Sequence, residues 1–305
     1  MKNSHKQTMK TDEIAATLLG KKISGSETYK PDLLVAVPRE ENRRQYAIQN
    51  DELPFAGWDV WHAYEFSALT ENGVPVTEVL KLKYNCNNQF LIESKSLKLY
   101  LNSFNMTKLG TDIEDCKRIC RETITRDLSQ KLQTDVEVEF IPDTTPRTEI
   151  FLNFKNLMDF VDEKNLKIDS FKEAPEVLQT TEAEEKKEHY LKFNSLRSNC
   201  RVTHQPDFGD AFIYYKSTKH IDETSLVEYL TSFRSEFHFH EECCEMIYKR
   251  LSDLLNKEDE LFVCALYTRR GGIDICPVRW SKNCHIEDTD KLLNLKSFAR
   301  HGIKQ

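Results

Sequence analysis

One cysteine of this sequence stands among polar neighbours: Cys200 lies in residues 198–201 (SNCR), and Asp207 follows seven residues later. Its sulfur could act as a nucleophile, because a thiolate is strongly nucleophilic near neutral pH and covalent attack divides a difficult reaction into easier steps. A turn at Pro206 can bring the Asp207 carboxyl back beside the thiol, where it could transfer a proton. The alternative is a buried strand cysteine with Asp207 capping the turn, and the local pattern alone does not separate the two.

A second polar cluster, residues 92–96 (IESKS), combines Glu93 with two hydroxyls and Lys95. Its simplest explanation is the start of a helix, with Ser94 or Ser96 as the N-cap and the lysines on a solvated face. A helix N-terminus that carries hydroxyls and a lysine can also hold a phosphate group. Both interpretations stay open at this point.

A third cluster, residues 237–244 (FHFHEECC), contains residue types that bind zinc. A tetrahedral site needs four ligands, however, and the adjacent Cys243 and Cys244 would point apart on a helix. We therefore expect no metal here. The remaining interpretations are a first helical turn whose acids are favoured by the helix dipole, or a catalytic pair of His240 and Glu241.

The composition indicates a globular protein of about two domains, with 305 residues, 39% hydrophobic and 30% charged. A net charge of −7 disfavours a broad nucleic-acid surface. We expect a cytoplasmic protein without a membrane segment, because the polar N-terminus is followed by no apolar stretch and no apolar run approaches ~20 residues. Nine cysteines, an odd number, are typical of free thiols in a reducing compartment.

The hydrophobic periodicity predicts the elements that must position these clusters. In the first half we expect a hairpin of strands 58–69 and 76–84, helices 95–104 and 112–132, and a strand 136–141. In the second half we expect strands 197–203 and 211–217, helices 224–233 and 241–255, and strands 261–268 and 272–278. Each half repeats the order strand, strand, helix, helix, strand, which favours an α+β class. No G-x-G-x-x-G run supports a Rossmann nucleotide site.

The domain organisation follows from the same pattern. Residues 1–30 are predicted to be a lead-in with a short helix at Thr11–Leu19, and residues 31–165 a first module. Residues 166–190 are polar and acidic and are predicted to be a connector. Residues 191–305 form the second module, which carries Cys200.

The three clusters together resemble one family, the NADPH-dependent 7-cyano-7-deazaguanine reductases, which are the nitrile reductases of queuosine biosynthesis, a tRNA modification. The resemblance is carried by residues 91–105 (LIESKSLKLYLNSFN), 196–209 (LRSNCRVTHQPDFG), 239–245 (FHEECCE) and 267–279 (YTRRGGIDICPVR). It extends to residues 33–39 (LLVAVPR) and 57–67 (GWDVWHAYEFS). It implies the long form of the family, with two tandem tunnelling-fold modules, each an antiparallel sheet backed by two helices, and a homodimer.

The resemblance also implies a reaction. The nitrile of 7-cyano-7-deazaguanine would be reduced to the primary amine, 7-aminomethyl-7-deazaguanine, by way of a thioimide on Cys200. Asp207 would be the acid that protonates the developing nitrogen anion. Because a carboxyl that stays protonated at neutral pH needs burial, we expect Asp207 to be shielded from water.

Binding roles are implied at the matched positions. The substrate would be bound by Ile92, Glu93, Ser94, His240 and Glu241, and NADPH by Ser94, Lys95, Arg270 and Gly271. Carboxylates such as those of Glu93 and Glu241 can accept hydrogen bonds from the guanine-like edge and would be left unpaired by other ligands. Lysine and arginine suit the 2′-phosphate of NADPH. Arg201, His204 and Phe208 stand where the family usually has an aliphatic residue, Asn and Trp.

Two other functions remain open from the sequence. A zinc-dependent cyclohydrolase or pterin-type enzyme on the same fold would use residues 238–244 as ligands and would contain stoichiometric zinc. A non-catalytic purine-binding module would bind tightly without turnover and would need no thiol nucleophile at Cys200.

Overall fold

The computed structural model describes residues 28–304, so the helix expected at Thr11–Leu19 lies outside the described residues. The strands are β1 (Ala36–Pro38), β2 (Ala56–Leu69), β3 (Pro75–Asn85), β4 (Phe90–Ile92), β5 (Val136–Ile141), β6 (Arg147–Glu149), β7 (Lys155–Asn156), β8 (Thr180–Cys200), β9 (Pro206–Ile221), β10 (Phe237–His238), β11 (Glu260–Tyr267), β12 (Ile273–Trp280) and β13 (Phe298–Arg300). The α-helices are α1 (Glu40–Gln45), α2 (Ser94–Asn102), α3 (Ile113–Leu132), α4 (Glu223–Ser232), α5 (His240–Leu254) and α6 (Glu287–Leu293). Short 3-10 helices lie at Pro31–Leu33, Leu157–Phe160, Pro175–Val177 and Phe233–Ser235.

A single nine-stranded sheet runs through both halves of the chain, in the order β10-β8-β9-β11-β12-β2-β3-β5, with β7 pairing to β8. The halves join where β12 pairs antiparallel with β2, which places Ile275 opposite Trp61. The mixed α+β class and the predicted hairpin of β2 and β3 are therefore confirmed. At this junction the last long strand of the second half, β12, lies beside the first long strand of the first half, β2.

Each half buries its own core between the sheet and two helices. In the first half, α3 begins at the N-cap Asp112, ends at Gln133 in the left-handed region, and turns Cys116, Ile124 and Leu128 toward the strands. In the second half, α4 packs against β8, and α5 packs against β11 and β12. On α3 the apolar residues recur every three or four positions, so one face is buried and the other is solvated. Helix α5 differs, because residues 241–248 are buried on all sides.

The connector predicted at residues 166–190 is wrong in its second part, because β8 already begins at Thr180. The backbone of this acidic stretch pairs with β9, with Glu188 opposite Lys216. Its charged side chains lie mostly exposed on a strand that pairs with β9, with a register shift between Glu182 and Lys187. Because residues 180–190 are polar and charged, their antiparallel pairing with β9 was not predicted from the sequence.

The opposite face of the sheet carries a third core, which was not predicted from the sequence. Residues 150–154 and the C-terminal tail close it, with Leu292 and Ala299 packed against the strands. The buried Lys81 ammonium donates to the carbonyls of Asn294 and Ser297, at 2.8 and 3.0 Å. The tail after residue 283 is thus an integral layer of the fold.

A buried ion network ties the two halves together behind the sheet junction. Asp59 of β2 contacts Arg279 of β12 at 2.8 Å, and Arg279 contacts Glu245 of α5 at 2.9 Å. Arg43 of α1 also contacts Glu245, at 2.7 Å. Although burial alone would raise it, Arg43 and Arg279 lower the pKa of Glu245 to about 2.

No helix among residues 28–304 is long and apolar enough to cross a membrane.

Candidate active site

The polar clusters of the two halves meet at one site, although they are far apart in the chain. A cavity of about 270 Å³, here called the main cavity, lies between them. The predicted residues that line it are Glu93, Ser94, Lys95, Cys200, His240, Arg270 and Gly271. An adjoining inner recess shares Ser94, Cys200, His240 and Arg270 and adds Ile92, Asp207 and Glu241. All of the predicted site residues therefore lie around two connected hollows.

A more voluminous surface hollow, of about 620 Å³, lies beside α1 and contains none of the predicted residues. Two of its charged side chains, Glu40 and Arg44, are exposed and pair with each other. No cysteine or histidine lines it. We therefore place the chemistry at the main cavity and the inner recess, where buried ionisable groups face a thiol.

Cys200 is the last residue of β8 and is held in a tight turn. Its backbone N–H donates to the Gln205 carbonyl at 2.8 Å, and the His204 N–H donates back to the Cys200 carbonyl at 2.9 Å. His204 closes the turn with a φ of 56°. The Thr203 N–H lies 3.5 Å from the Cys200 sulfur and gives it a hydrogen-bond donor.

Cys200 differs from the other cysteines of the described residues in being only half-buried. Cys243, by contrast, is fully buried, and that burial raises the pKa of its thiol to about 12. A buried neutral thiol is an unreactive packing group. The sulfur that a substrate can reach is therefore that of Cys200.

Asp207 lies near the start of β9 with only 6% of its surface exposed, so the expected shielding is confirmed. Its two carboxyl oxygens have different partners. One lies 2.6 Å from the Arg270 guanidinium and the other 3.3 Å from Nε2 of His240. The contact with Arg270 was not expected from the sequence, which assigned that arginine to NADPH alone.

His240 begins α5 and is fixed by stacking. Its ring lies parallel to that of Tyr267, with 3.8 Å between the ring centres. Its Nε2 faces Asp207, while its buried Nδ1 has no hydrogen-bond partner among residues 28–304. Tyr267 begins the motif of residues 267–279, but no role was assigned to it from the sequence, because the stacking depends on how β11 packs against α5.

Glu93 caps the start of α2, a role that was expected for the neighbouring Ser94 or Ser96. Its carboxylate is the N-cap of α2 and accepts from the N–H groups of Lys95 and Ser96, at 2.9 and 2.6 Å. The expected cap by Ser94 or Ser96 is therefore wrong. Burial raises the pKa of Glu93, although these two hydrogen bonds oppose the shift.

Glu241 presents a buried carboxyl that the protein leaves partly unused. It is 2% exposed, and its Oε1 has no hydrogen-bond partner among the described residues. Burial and the negative charge of Asp59 raise the pKa of Glu241 to about 8, against the opposing effect of Arg39 and Arg279. An unpaired buried carboxyl is costly unless a ligand supplies donors.

Three cations line one rim of the main cavity: Lys95 and Lys98 of α2 and Arg270 of the β11–β12 turn. Lys98 was not among the predicted residues, although it lies in the same motif. Its ammonium donates to the Gly271 carbonyl. Gly271 has a φ of +61°, and a Cβ there would meet the Lys98 Nζ at 3.1 Å. The rim therefore favours an anionic ligand that approaches the backbone closely.

The geometry of residues 237–244 gives no support to a zinc site. Cys244 points to the carbonyls of Val263 and Pro277, while the imidazole of His238 lies against two carboxylates. Within residues 28–304, the side chains with metal-ligand atoms close together are His62, Asp274 and Cys276, on the other face of the sheet. The Arg300 guanidinium lies 3.2 Å from Asp274 and supplies the positive charge there.

Comparisons with known proteins agree on one family. The family described as "Nitrile reductase, 7-cyano-7-deazaguanine-reductase N-term" matches residues 26–140, and the one described as "QueF-like protein" matches residues 206–285. A protein of Colwellia psychrerythraea named NADPH-dependent 7-cyano-7-deazaguanine reductase is 39% identical to this chain over 279 residues. That alignment covers 90% of this chain and 94% of the relative.

Proposed function

Because the chain belongs to the family of NADPH-dependent 7-cyano-7-deazaguanine reductases, we propose that it reduces the nitrile of 7-cyano-7-deazaguanine to 7-aminomethyl-7-deazaguanine through a thioimide on Cys200. The chain is an oxidoreductase and its reductant is NADPH. The observation that carries the proposed mechanism is the meeting, in adjoining hollows, of the reachable thiol of Cys200, the Asp207 carboxyl and a cationic rim. This combination suits covalent capture of a neutral ligand next to an anionic one.

Formation of the thioimide requires a nucleophile and a proton carrier. The Cys200 sulfur bonds to the nitrile carbon, and one π bond of the nitrile becomes a lone pair on nitrogen, which takes a proton. We assign that transfer to Asp207, which can accept the thiol proton and deliver it to nitrogen, so that no outside proton is consumed. His240, 3.3 Å from Asp207, holds the carboxyl in place.

Two NADPH molecules, bound one after the other, would each supply one hydride. The first would reduce the thioimide carbon and the second the imine that remains after the Cys200 thiolate leaves, and each reduction would also consume one proton. The chain must keep that imine away from water between the two transfers, because imines hydrolyse. The walls of the inner recess are apolar on one side, where Trp61, Ile92 and Ile275 line it. We propose that these side chains exclude water from the reacting carbon.

The residues of the rim fit the charge and shape of NADPH. Lys95, Lys98 and Arg270 provide positive charge for phosphate groups, and an arginine can contact a phosphate through two parallel N–H groups. Gly271 lets the phosphate or ribose approach the backbone of the turn. Ser94 lines both hollows, so its hydroxyl can reach either NADPH or the substrate.

Replacing Arg270 with methionine is expected to raise the KM for NADPH about tenfold, because one charged hydrogen-bonded contact contributes roughly 1.5–3 kcal/mol. Initial rates of NADPH oxidation measure the change. Arg269→Met is the matched control, since that guanidinium lies 4.5 Å over the Tyr64 ring instead of facing the cavity. Equal KM values for the two variants would remove Arg270 from the cofactor site.

We propose that Glu241 recognises the guanine-like edge of the substrate through donors that pair with its unused Oε1. Ile92 and Ser94 lie on the same recess. Glu93 lines the main cavity and can accept a further hydrogen bond, although its carboxylate already caps α2. A ligand without these donors would leave a buried carboxylate unpaired, which gives selectivity.

Substrate affinity is expected to increase with pH up to about 8, because the raised pKa of Glu241 keeps its carboxyl protonated below that value. If the carboxylate is the form that binds, binding releases a proton, and the association constant should rise by as much as about tenfold per pH unit below the pKa. Calorimetry on Cys200→Ala, which cannot form the covalent adduct, measures this. The pH dependence should disappear in Glu241→Gln; its persistence there would assign the proton to another group.

We further propose that the halves are tandem tunnelling-fold modules and that the chain forms a homodimer. The antiparallel strands of each half, backed by two helices, support the first point. The proposed modules span residues 31–165 and 191–305, with β8 extending the second module back to Thr180. Light scattering after size-exclusion chromatography tests the dimer directly.

The test of the proposed function is the oxidation of NADPH by the purified protein in the presence of 7-cyano-7-deazaguanine. We expect two NADPH consumed for each nitrile and an adduct on Cys200 whose mass equals that of the protein plus the nitrile. Tight binding without NADPH oxidation would instead support the purine-binding module, and stoichiometric zinc would support the cyclohydrolase alternative.

A further inference from the structure

Arg201 follows Cys200 directly, but its guanidinium is directed to a different group of residues. Its Nη1 donates to the Asn42 side-chain oxygen at 2.5 Å and lies 3.3 Å from the Glu242 carboxylate. Asn42 belongs to α1, in the first half of the chain, and its amide donates to the same carboxylate. Arg201 therefore links the turn that carries Cys200 to helices of both halves.

His238 forms the second cationic part of this cluster. It lies on β10, directly beside Cys200 in the parallel pairing with β8. Its Nε2 is 3.1 Å from Glu236 and its Nδ1 is 3.3 Å from Glu242. These two carboxylates raise the pKa of His238 to about 9, even though burial acts in the opposite direction. The imidazole therefore carries a proton at neutral pH.

Glu242 holds the cluster together from the first turn of α5. Besides Arg201 and His238, its carboxylate accepts from the Phe239 N–H, which fixes the start of the helix that carries His240 and Glu241. It is 5% exposed. Two cations and two carboxylates thus lie together, so their charges balance and none is buried without an opposite charge.

We propose that Arg201 and His238 are positioning residues, which fasten the turn of residues 200–205 and hold the Cys200 sulfur at the inner recess through Glu242. This inference rests on the proposed function for the role of Cys200. Three segments are held by one cluster: α1 through Asn42, the turn through Arg201 and the start of α5 through Glu242. The same carboxylate that places His240 and Glu241 therefore also places the nucleophile.

A direct electrostatic effect of Arg201 on the thiol is the competing explanation, and the geometry disfavours it. The guanidinium is paired with Glu242 and bonded to Asn42, so its charge is already compensated. The sulfur instead has the Thr203 N–H as a donor, from within the turn. Arg201 acts on the chemistry through the position of the turn.

The test is hydrogen exchange combined with kinetics on Arg201→Met, with Arg118→Met as control. Arg118 lies on the exposed face of α3, and its ion pairs within the described part of the chain are with Asp115 and Glu122 of the same helix. Because the Cys200 and His204 amides are bonded within the turn, we expect them to exchange about tenfold faster in Arg201→Met, with strands β3 and β5 unchanged. We expect kcat to fall about tenfold and the KM for NADPH to stay within twofold. Arg201→Lys should recover part of kcat.

Exchange and kcat within twofold of the unmodified protein would overturn the proposal. Faster exchange throughout the chain would overturn it too, because that indicates general destabilisation. Glu242→Gln, which keeps the volume of the side chain, repeats the test if Arg201→Met does not fold. The exchange measurement needs no turnover, so the positioning role can fail or hold separately from the proposed function.

The pH dependence gives a second measurement. His238 faces Glu236, Glu242 and the Tyr46 hydroxyl, and Tyr46 in turn lies beneath Arg250. Since the pKa of His238 is raised to about 9, the imidazole of the folded protein keeps its charge up to about pH 8 and loses it as the pH rises through about 9. The ratio of kcat for the unmodified protein to kcat for His238→Gln should therefore be constant up to about pH 8 and approach one above about pH 9. A ratio that does not change across this range would exclude His238 from the positioning role.

Discussion

Replacing Cys200 with alanine is expected to reduce NADPH consumption in the presence of the nitrile by about 10³-fold or more, because removal of a covalent nucleophile eliminates the pathway that depends on it. The thioimide adduct should disappear from the mass spectrum at the same time. Substrate binding should persist, since Glu93 and Glu241 remain in place. Initial rates and intact-protein mass measured on one preparation check both expectations.

Cys284→Ala is the matched control for this variant. Cys284 is a buried thiol in the core on the opposite face of the sheet, and it lines neither hollow. Its loss should leave both turnover and adduct mass unchanged. An adduct that survives in Cys200→Ala would identify a different nucleophile and would refute the mechanism proposed for this site.

The parts of the fold that the sequence predicted well are those with strong hydrophobic periodicity. The helix stripe of Cys116, Cys120, Ile124 and Leu128 faces the core as its spacing requires. The alternation in β2 likewise places Trp61 and Val60 in different cores on the two faces of the sheet. In both cases the burial of one face decides the element, and that information is local to the chain.

The parts that the sequence could not predict depend on partners that lie far away in the chain. The charged start of β8 is a strand because its backbone pairs with β9, and no alternation of side chains indicates that pairing. Arg300 can be buried because its guanidinium pairs with the Asp274 carboxylate and donates a hydrogen bond to the Tyr64 hydroxyl. In such places the pairing of polar groups decides the structure, and hydrophobic pattern carries no information about it.

The candidate site shows the same division. Residue types and motifs identified which side chains gather around the hollows, but not which of them contact each other. Glu93 was expected to bind the substrate, yet it also caps α2. Arg270 was expected to bind NADPH, yet it also pairs with Asp207. The cap is local to the start of α2, whereas the contact between Arg270 and Asp207 arises only when the β11–β12 turn and β9 are brought together. Both contacts change what a substitution should do.

Replacing Asp207 with asparagine is expected to lower kcat by roughly 10²- to 10⁴-fold, because the amide cannot carry the proton from sulfur to nitrogen. Asp210→Asn is the matched control: Asp210 lies on the same strand, is also buried, and pairs with Lys304 of the tail. The rate of thioimide formation, measured by rapid mixing without NADPH, isolates the proton transfer from the hydride steps. A rate in Asp207→Asn within twofold of the unmodified protein would assign the transfer to another group, and His240, 3.3 Å from Asp207, would be the first to test.

The same variant should also bind NADP⁺ more tightly, and this second effect follows from the shared arginine. In the structure Arg270 is 2.6 Å from Asp207 and lines the main cavity, so a phosphate must compete with the Asp207 carboxylate for it. Removing that charge releases the guanidinium, and the Kd for NADP⁺ should fall several-fold in Asp207→Asn but not in the double variant with Arg270→Met. Calorimetry with NADP⁺ measures all four proteins. If the decrease in Kd persists when Arg270 is absent, the tighter binding reflects the general loss of a negative charge, and Arg270 is not shared between the catalytic acid and the cofactor.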